Sequence, residues 1–180
     1  MPRSVPVRCC CCFLVGAAAL LAAGDAARAQ PPAIQSASPQ AVRPGETIDV
    51  TLRGANLAAP GGLWTSFPAE GVLSPDVANN GQNAAEVTYR ITVPAEAAVG
   101  VHGLRVVTQA GVSALRLFVV DDLPSVAAKT DNKLRDAAQE LALPVAVDGY
   151  VDGLSYHYFK FRAEAGQRIA FDVLARRIGS

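Results

Sequence analysis

His102 and His157 are the two histidines of the chain, and an imidazole is the side chain best suited to proton transfer near neutral pH. Catalysis also needs a nucleophile and an oxyanion donor held beside that base. His102 lies between Val101 and Gly103, where the pattern predicts a hairpin loop. His157 is expected on a strand face with Phe159 and Phe161. No G-x-S-x-G elbow and no H-E-x-x-H helix motif occurs in the sequence. No catalytic residue is therefore assigned, and no cofactor. Asp121-Asp122 and the pair Asp148 and Asp152 offer hard oxygen ligands. A calcium ion gathers about six to eight oxygens, and a D-x-D-x-D-G loop to gather them is missing here. A solvated linker and a turn are the expected settings of these carboxylates, and no metal ligand is assigned. Trp64 near Phe67 is either a sugar-stacking platform or a core and rim pair.

The first residues bear on where such chemistry takes place. Arg3 and Arg8 give a positive start, an apolar run follows from Cys9 through Ala23, and Ala27-Arg28-Ala29 sets small residues at a processing site. That is the layout of a secretory signal over residues 1–29, with Gln30 the first mature residue. The run is too short, and too soon followed by Asp25 and Arg28, for a good membrane span. All four cysteines, Cys9 to Cys12, lie within it. The mature chain then has no disulfide, thiolate metal site or cysteine nucleophile. The cysteines precede most of the apolar run, which argues against lipidation.

The chain carries 16 basic and 16 acidic side chains, with a formal net charge of zero. Loss of Arg3, Arg8, Arg28 and Asp25 leaves the mature part slightly acidic. It has no basic stripe for nucleic acid and no polybasic patch for anionic lipid.

Most elements legible along the mature chain are strands. Residues 31–45 form an extended lead-in that turns at Pro44-Gly45. In residues 46–53, Ile48, Val50 and Leu52 alternate with polar residues, and Val87, Tyr89, Ile91 and Val93 do so in the next clear strand. Arg90 falls on the polar side and is expected to tolerate charge reversal. Asn79-Asn80-Gly81 is a turn signal. Residues 103–109 and 113–120 read as a hairpin about Ala110-Gly111, with Leu115, Leu117 and Val119 on the core face. Residues 30–120 are thus predicted to be a β-sandwich. Residues 121–142 read as a linker, with or without a short helix in 129–141. Strands are expected again at 143–151, 156–163 and 168–175, with Phe159, Phe161, Ile169, Phe171 and Val173 inward. Three strands are too few for an independent domain, so a truncated second domain is expected over 143–180.

Ile34-Gln35-Ser36-Ala37-Ser38-Pro39, Pro44-Gly45-Glu46-Thr47 and Val50-Thr51-Leu52-Arg53-Gly54-Ala55-Asn56-Leu57, with Val93-Pro94-Ala95 and Gly100 later, make the first part similar to the immunoglobulin-like IPT/TIG family. That resemblance implies a structural or adhesive role without a general catalytic site. The second part resembles the start of a bacterial pre-peptidase C-terminal domain. Its matching residues include Asp131-Asn132, Gln139-Glu140-Leu141, Leu143-Pro144, Tyr158-Phe159-Lys160-Phe161 and Ala165-Gly166-Gln167. Where that family carries D-x-D before the aromatic strand, this chain has Ser155 and His157. The resemblance implies a jelly-roll-like β module, truncated here, and the pairing of the two modules resembles planctomycete-type secreted proteins.

The fold class expected is all-β: an immunoglobulin-like sandwich followed by a partial jelly-roll-like module. The function expected is that of an exported, periplasmic or extracellular, non-catalytic β protein acting as a spacer, in adhesion or in protein contact. Its expected partner is a protein or a cell-surface polymer, without nucleic acid and without a membrane anchor once the signal is removed. Two alternatives use the same residues: an accessory region of a secreted peptidase, and a carbohydrate-binding module.

Overall fold

The computed structural model describes residues 30–150 and 153–175. The expected signal segment, residues 1–29, and Asp152 lie outside the described residues. The fold is all-β. In chain order the first strands are β1 (Ala33–Ser38), β2 (Ala41–Val42), β3 (Thr47–Ala55), β4 (Pro60–Thr65) and β5 (Glu70–Leu73). β6 (Glu86–Thr92), β7 (Gly100–Thr108), β8 (Gly111–Val112) and β9 (Arg116–Val120) follow. They make two sheets. One has the order β1-β3-β6-β5; the other runs β2-β9-β7-β4, with β8 beside β7.

The alternation in β3 and β6 sets their pairing. Ile48, Val50 and Leu52 stand opposite Ile91, Tyr89 and Val87, so one face of the pair is entirely apolar and turns toward the other sheet. Val50, Leu52, Val87, Tyr89 and Ile91 are all buried, and Ile48 packs on them partly buried. Facing them are Leu104, Val106, Phe118 and Val120, also buried. Leu57, Phe67 and Val93 fill the space between.

The predicted core phase fails in β9. Leu115 is 46% exposed and Leu117 half-buried, while Phe118 and Val120 are fully buried. Val119 is buried as expected. The one polar residue of 115–120, Arg116, falls in the same alternate set as Phe118 and Val120, so the pattern favours turning Leu115, Leu117 and Val119 inward instead.

The turn predicted at Asn79-Asn80-Gly81 forms, with positive φ at Asn79 (56°) and Gly81 (83°). Asn80 then clamps the strand behind it. Its Nδ2 donates to the carbonyls of Ser74 (3.0 Å) and Thr88 (2.7 Å), and its Oδ1 accepts the amide of Thr88 (3.0 Å).

Beyond β9 the chain departs from the predicted linker and strands. It forms β10 (Ser125–Ala127), a 3-10 turn at Arg135–Ala137 in place of a longer helix, β11 (Gln139–Leu141), β12 (Ala146–Asp148) and β13 (Phe159–Phe161). β10 pairs with β12 and β11 with β13, both in parallel. Two buried polar residues hold these short ladders in place. Gln139 accepts the Lys129 amide (2.8 Å) and donates to the Ala127 carbonyl (3.0 Å). Asn132 donates from Nδ2 to the Tyr158 carbonyl (3.3 Å) and takes the Tyr158 amide on its own carbonyl (2.8 Å). The strand predicted at 168–175 does not form among the described residues. Phe171 is 73% exposed, and Val173 is likewise exposed. Alternation alone does not hold a strand that has no neighbouring ladder to join.

Candidate functional site

His102 sits in β7, not in a loop. Its position opposite Phe118 in the register turns it toward the core. The ring lies 5.0 Å from that of Phe67, at 49°, and Nε2 is 2.8 Å from the Ala98 carbonyl oxygen. Phe67 in turn stacks on Phe118 at 6.1 Å and 5°. The imidazole thus closes one end of an aromatic row and braces the loop ahead of β7. His157 precedes β13 instead of lying within it. Its Nδ1 is buried without a hydrogen-bond partner among the described residues. The two histidines occupy different parts of the fold, one inside the sandwich and one beside β13.

Of the carboxylates singled out in the sequence, Asp121 and Asp148 are bonded to backbone. Asp121 Oδ1 accepts the Leu123 amide at 3.1 Å and shapes the turn between β9 and β10. Asp148 Oδ2 accepts the Gln40 amide at 2.8 Å. Among the described residues no group of three or more His, Cys, Asp or Glu side chains converges as a metal site would require.

Asp148 borders an open cleft of about 400 Å³ between the sandwich and the β10–β12 ladder. Ser38, Pro39, Glu46, Ile48, Pro124 and Ser125 also line it. Glu46 reaches Arg43 at 3.5 Å. Backbone bonds run along the same seam: Val119 donates to the Gln40 carbonyl, and Asp121 to that of Val42, each at 2.9 Å. The cleft is therefore the edge of a joint, with its acidic groups already engaged.

The strongest electrostatic cluster was not singled out in the sequence. On the outer face of β3 and β6, Arg90 forks onto Asp49 with two contacts of 2.9 Å and also pairs with Asp76. Ser74 donates to the same Asp49 carboxylate at 2.7 Å. The Arg90 guanidinium, then the Ser74 hydroxyl, hold the Asp49 carboxyl below the usual carboxylate range. Charge reversal at Arg90, expected to be tolerated, would set three carboxylates together. The cross-strand pairing of Asp49 with Arg90 was available from the two alternating patterns; Asp76 and Ser74 come from the connection after β5 and were not.

Phe67 is buried and Trp64 is 47% exposed, so of the two settings weighed for them the pair takes that of core and rim. Trp64 stands opposite Arg105 on the outer face of the five-stranded sheet. The Arg105 guanidinium donates to the Ser113 carbonyl at 3.1 Å.

In comparison with known proteins, no protein-family model matches the chain and no curated protein is significantly similar to it.

Proposed function

We propose that this chain is an exported, non-catalytic modular β protein that spaces and presents surfaces in the periplasm or outside the cell. The joint between the sandwich and the following ladders carries this reading. Gln40 is fixed on both sides, donating its amide to Asp148 and accepting from Val119 at its carbonyl. Such a seam transmits position from one part of the chain to the next, which a spacer requires. Two side chains with catalytic potential are engaged in the fold: His102 against Phe67 and Ala98, Asp49 against Arg90 and Ser74. The similarity to IPT/TIG and pre-peptidase C-terminal domains supports the same reading, and it makes a protein or a cell-surface polymer the partner.

The test is expression with the native leader, followed by fractionation and intact mass. A product beginning at Gln30 outside the cytoplasm is expected, inert on peptide, ester and glycoside substrates. A cytoplasmic product that keeps Cys9 to Cys12, or turnover by the purified chain, would overturn it.

A further inference from the structure

Asn80-Gly81 is the one Asn-Gly dipeptide of the chain. In such a pair no side chain shields the glycine nitrogen, which can attack the asparagine carboxamide carbon and close a five-membered imide. Here the reactive carboxamide is also the clamp between β5 and β6. Asn80 Nδ2 donates to the carbonyls of Ser74 and Thr88, and Oδ1 accepts the Thr88 amide, at 2.7 to 3.0 Å. While these bonds hold, the carboxamide is fixed against β6 and is not free to turn onto the Gly81 nitrogen. The main chain is tied as well. Asn80 donates its amide to the Val77 carbonyl at 3.3 Å, and the Gly81 carbonyl accepts the Ala59 amide at 2.7 Å. Gly81 is buried with φ at 83°, and a Cβ there would lie 3.1 Å from Pro60 Cδ. Any other residue is strained at this position, so the turn keeps its glycine and with it the reactive pair.

We propose that Asn80 is a gated modification site. The clamp holds off imide formation in the folded chain, and conversion of Asn80 to aspartate or isoaspartate, once the clamp has opened, keeps it from closing again. The Gly81 nitrogen bonds to Asn80 Cγ and gives up its proton as the Cγ–Nδ2 bond breaks, and ammonia leaves. Water then opens the ring. Attack at Cγ yields aspartate; attack at the Asn80 main-chain carbonyl yields isoaspartate, with the backbone rerouted through Cγ. One water is consumed, one ammonia is released and nothing is oxidised. A cleft of about 100 Å³ borders Asn80, Gly81 and Thr88, enough to admit water. Either product replaces two N–H donors with a carboxylate, which only accepts. The Ser74 and Thr88 carbonyls then lose that donor and face a like-signed group. Ser74 also bonds Asp49, so the damage reaches the Arg90 cluster. The site thus records each opening of the β5–β6 connection that ends in conversion, and it does so independently of the spacing role.

Ageing the exported chain in mild alkali, in buffer and in guanidinium, with peptide mapping by mass, tests this. Conversion at Asn80 is expected in guanidinium and about a hundredfold more slowly in buffer, since three hydrogen bonds each contribute about a fivefold factor. The converted fraction, separated by its added negative charge, should exchange the Thr88 amide faster than fresh chain does. Asn80→Asp should do the same and unfold at lower denaturant. The fraction converted in buffer was folded beforehand, so it reports on the clamp independently of whether Asn80→Asp folds. Equal conversion rates in buffer and guanidinium would overturn the proposal, as would no conversion at Asn80 in guanidinium. A converted fraction, or a folded Asn80→Asp, that protects the Thr88 amide as well as fresh chain does would also overturn it.

Discussion

The backbone amide of Gln40 donates to the side chain of Asp148 across 2.8 Å, although the two residues are 108 positions apart. Gln40 lies between β1 and β2, and Asp148 ends β12. This bond spans the seam between the sandwich and the ladders that follow it.

Removing the acceptor should loosen that seam. Asp148→Ala is expected to speed hydrogen exchange at the Gln40 amide about fivefold, equivalent to about 1 kcal/mol for a partly exposed bond. Asp148→Asn keeps an acceptor oxygen and should lie between. Exchange unchanged in both variants would show that this bond does not hold the seam.

Tyr89 gives an alkaline prediction. Its hydroxyl is buried without a hydrogen-bond partner among the described residues, and burial pushes its pKa up to about 12. The unfolded chain ionises near pH 10 and the folded one only near 12, so stability should fall across that interval. Tyr89→Phe should abolish this tyrosine's share of the fall. It should leave neutral stability unchanged or raise it by up to about 1 kcal/mol, because no hydrogen bond is lost. Chemical denaturation at neutral and alkaline pH measures both effects.

Asp49 acts at the other end of the scale. Arg90 holds its carboxyl below the usual range, so its contribution is present above about pH 4, the ordinary carboxylate value, and is lost as pH falls through the lower folded value. Asp49→Asn should flatten the acid limb of a stability-versus-pH curve. Arg90→Asp should be destabilising at pH 7 and partly relieved in mild acid, where the crowded carboxylates take up protons. Equal stability of Arg90→Asp at both pH values would show that the cluster is electrostatically slack.

Phe118→Ala should cost about 3–5 kcal/mol, as truncation of a buried phenylalanine does. Leu117→Ala, half-buried on the outer face, should cost less than about 1.5 kcal/mol. Urea unfolding of the two variants decides the phase of β9. The reverse order would return Leu117 to the core.

The same strand shows why part of the fold was legible and part was not. In β3, Asp49, Thr51 and Arg53 alternate with Ile48, Val50 and Leu52, so the polar residues fix the phase without ambiguity. In β9 the one polar residue, Arg116, stands at the strand's start in the set that turns inward at Phe118 and Val120, so it misdirects the phase. The segment after Val120 was hidden for another reason. β10 to β13 have three residues each, too few to show a period, and they are anchored by Gln139 and Asn132 side chains whose partners are remote in sequence or main-chain atoms. The candidate residues fared likewise. His102 turned inward because its strand begins earlier than the turn signals suggest, and the Asp49–Arg90 fork gained Asp76 only through the path of the connection after β5.

The interleaving of the last four strands has a consequence for a broken chain. Because β10 pairs with β12 and β11 with β13, a protease cut between Leu141 and Ala146 leaves each fragment contributing one strand to each ladder. The pieces are stitched twice across the break, and once more by Gln40 and Asp148. A chain nicked there should run as two bands under denaturing conditions and still elute as one particle from a sizing column.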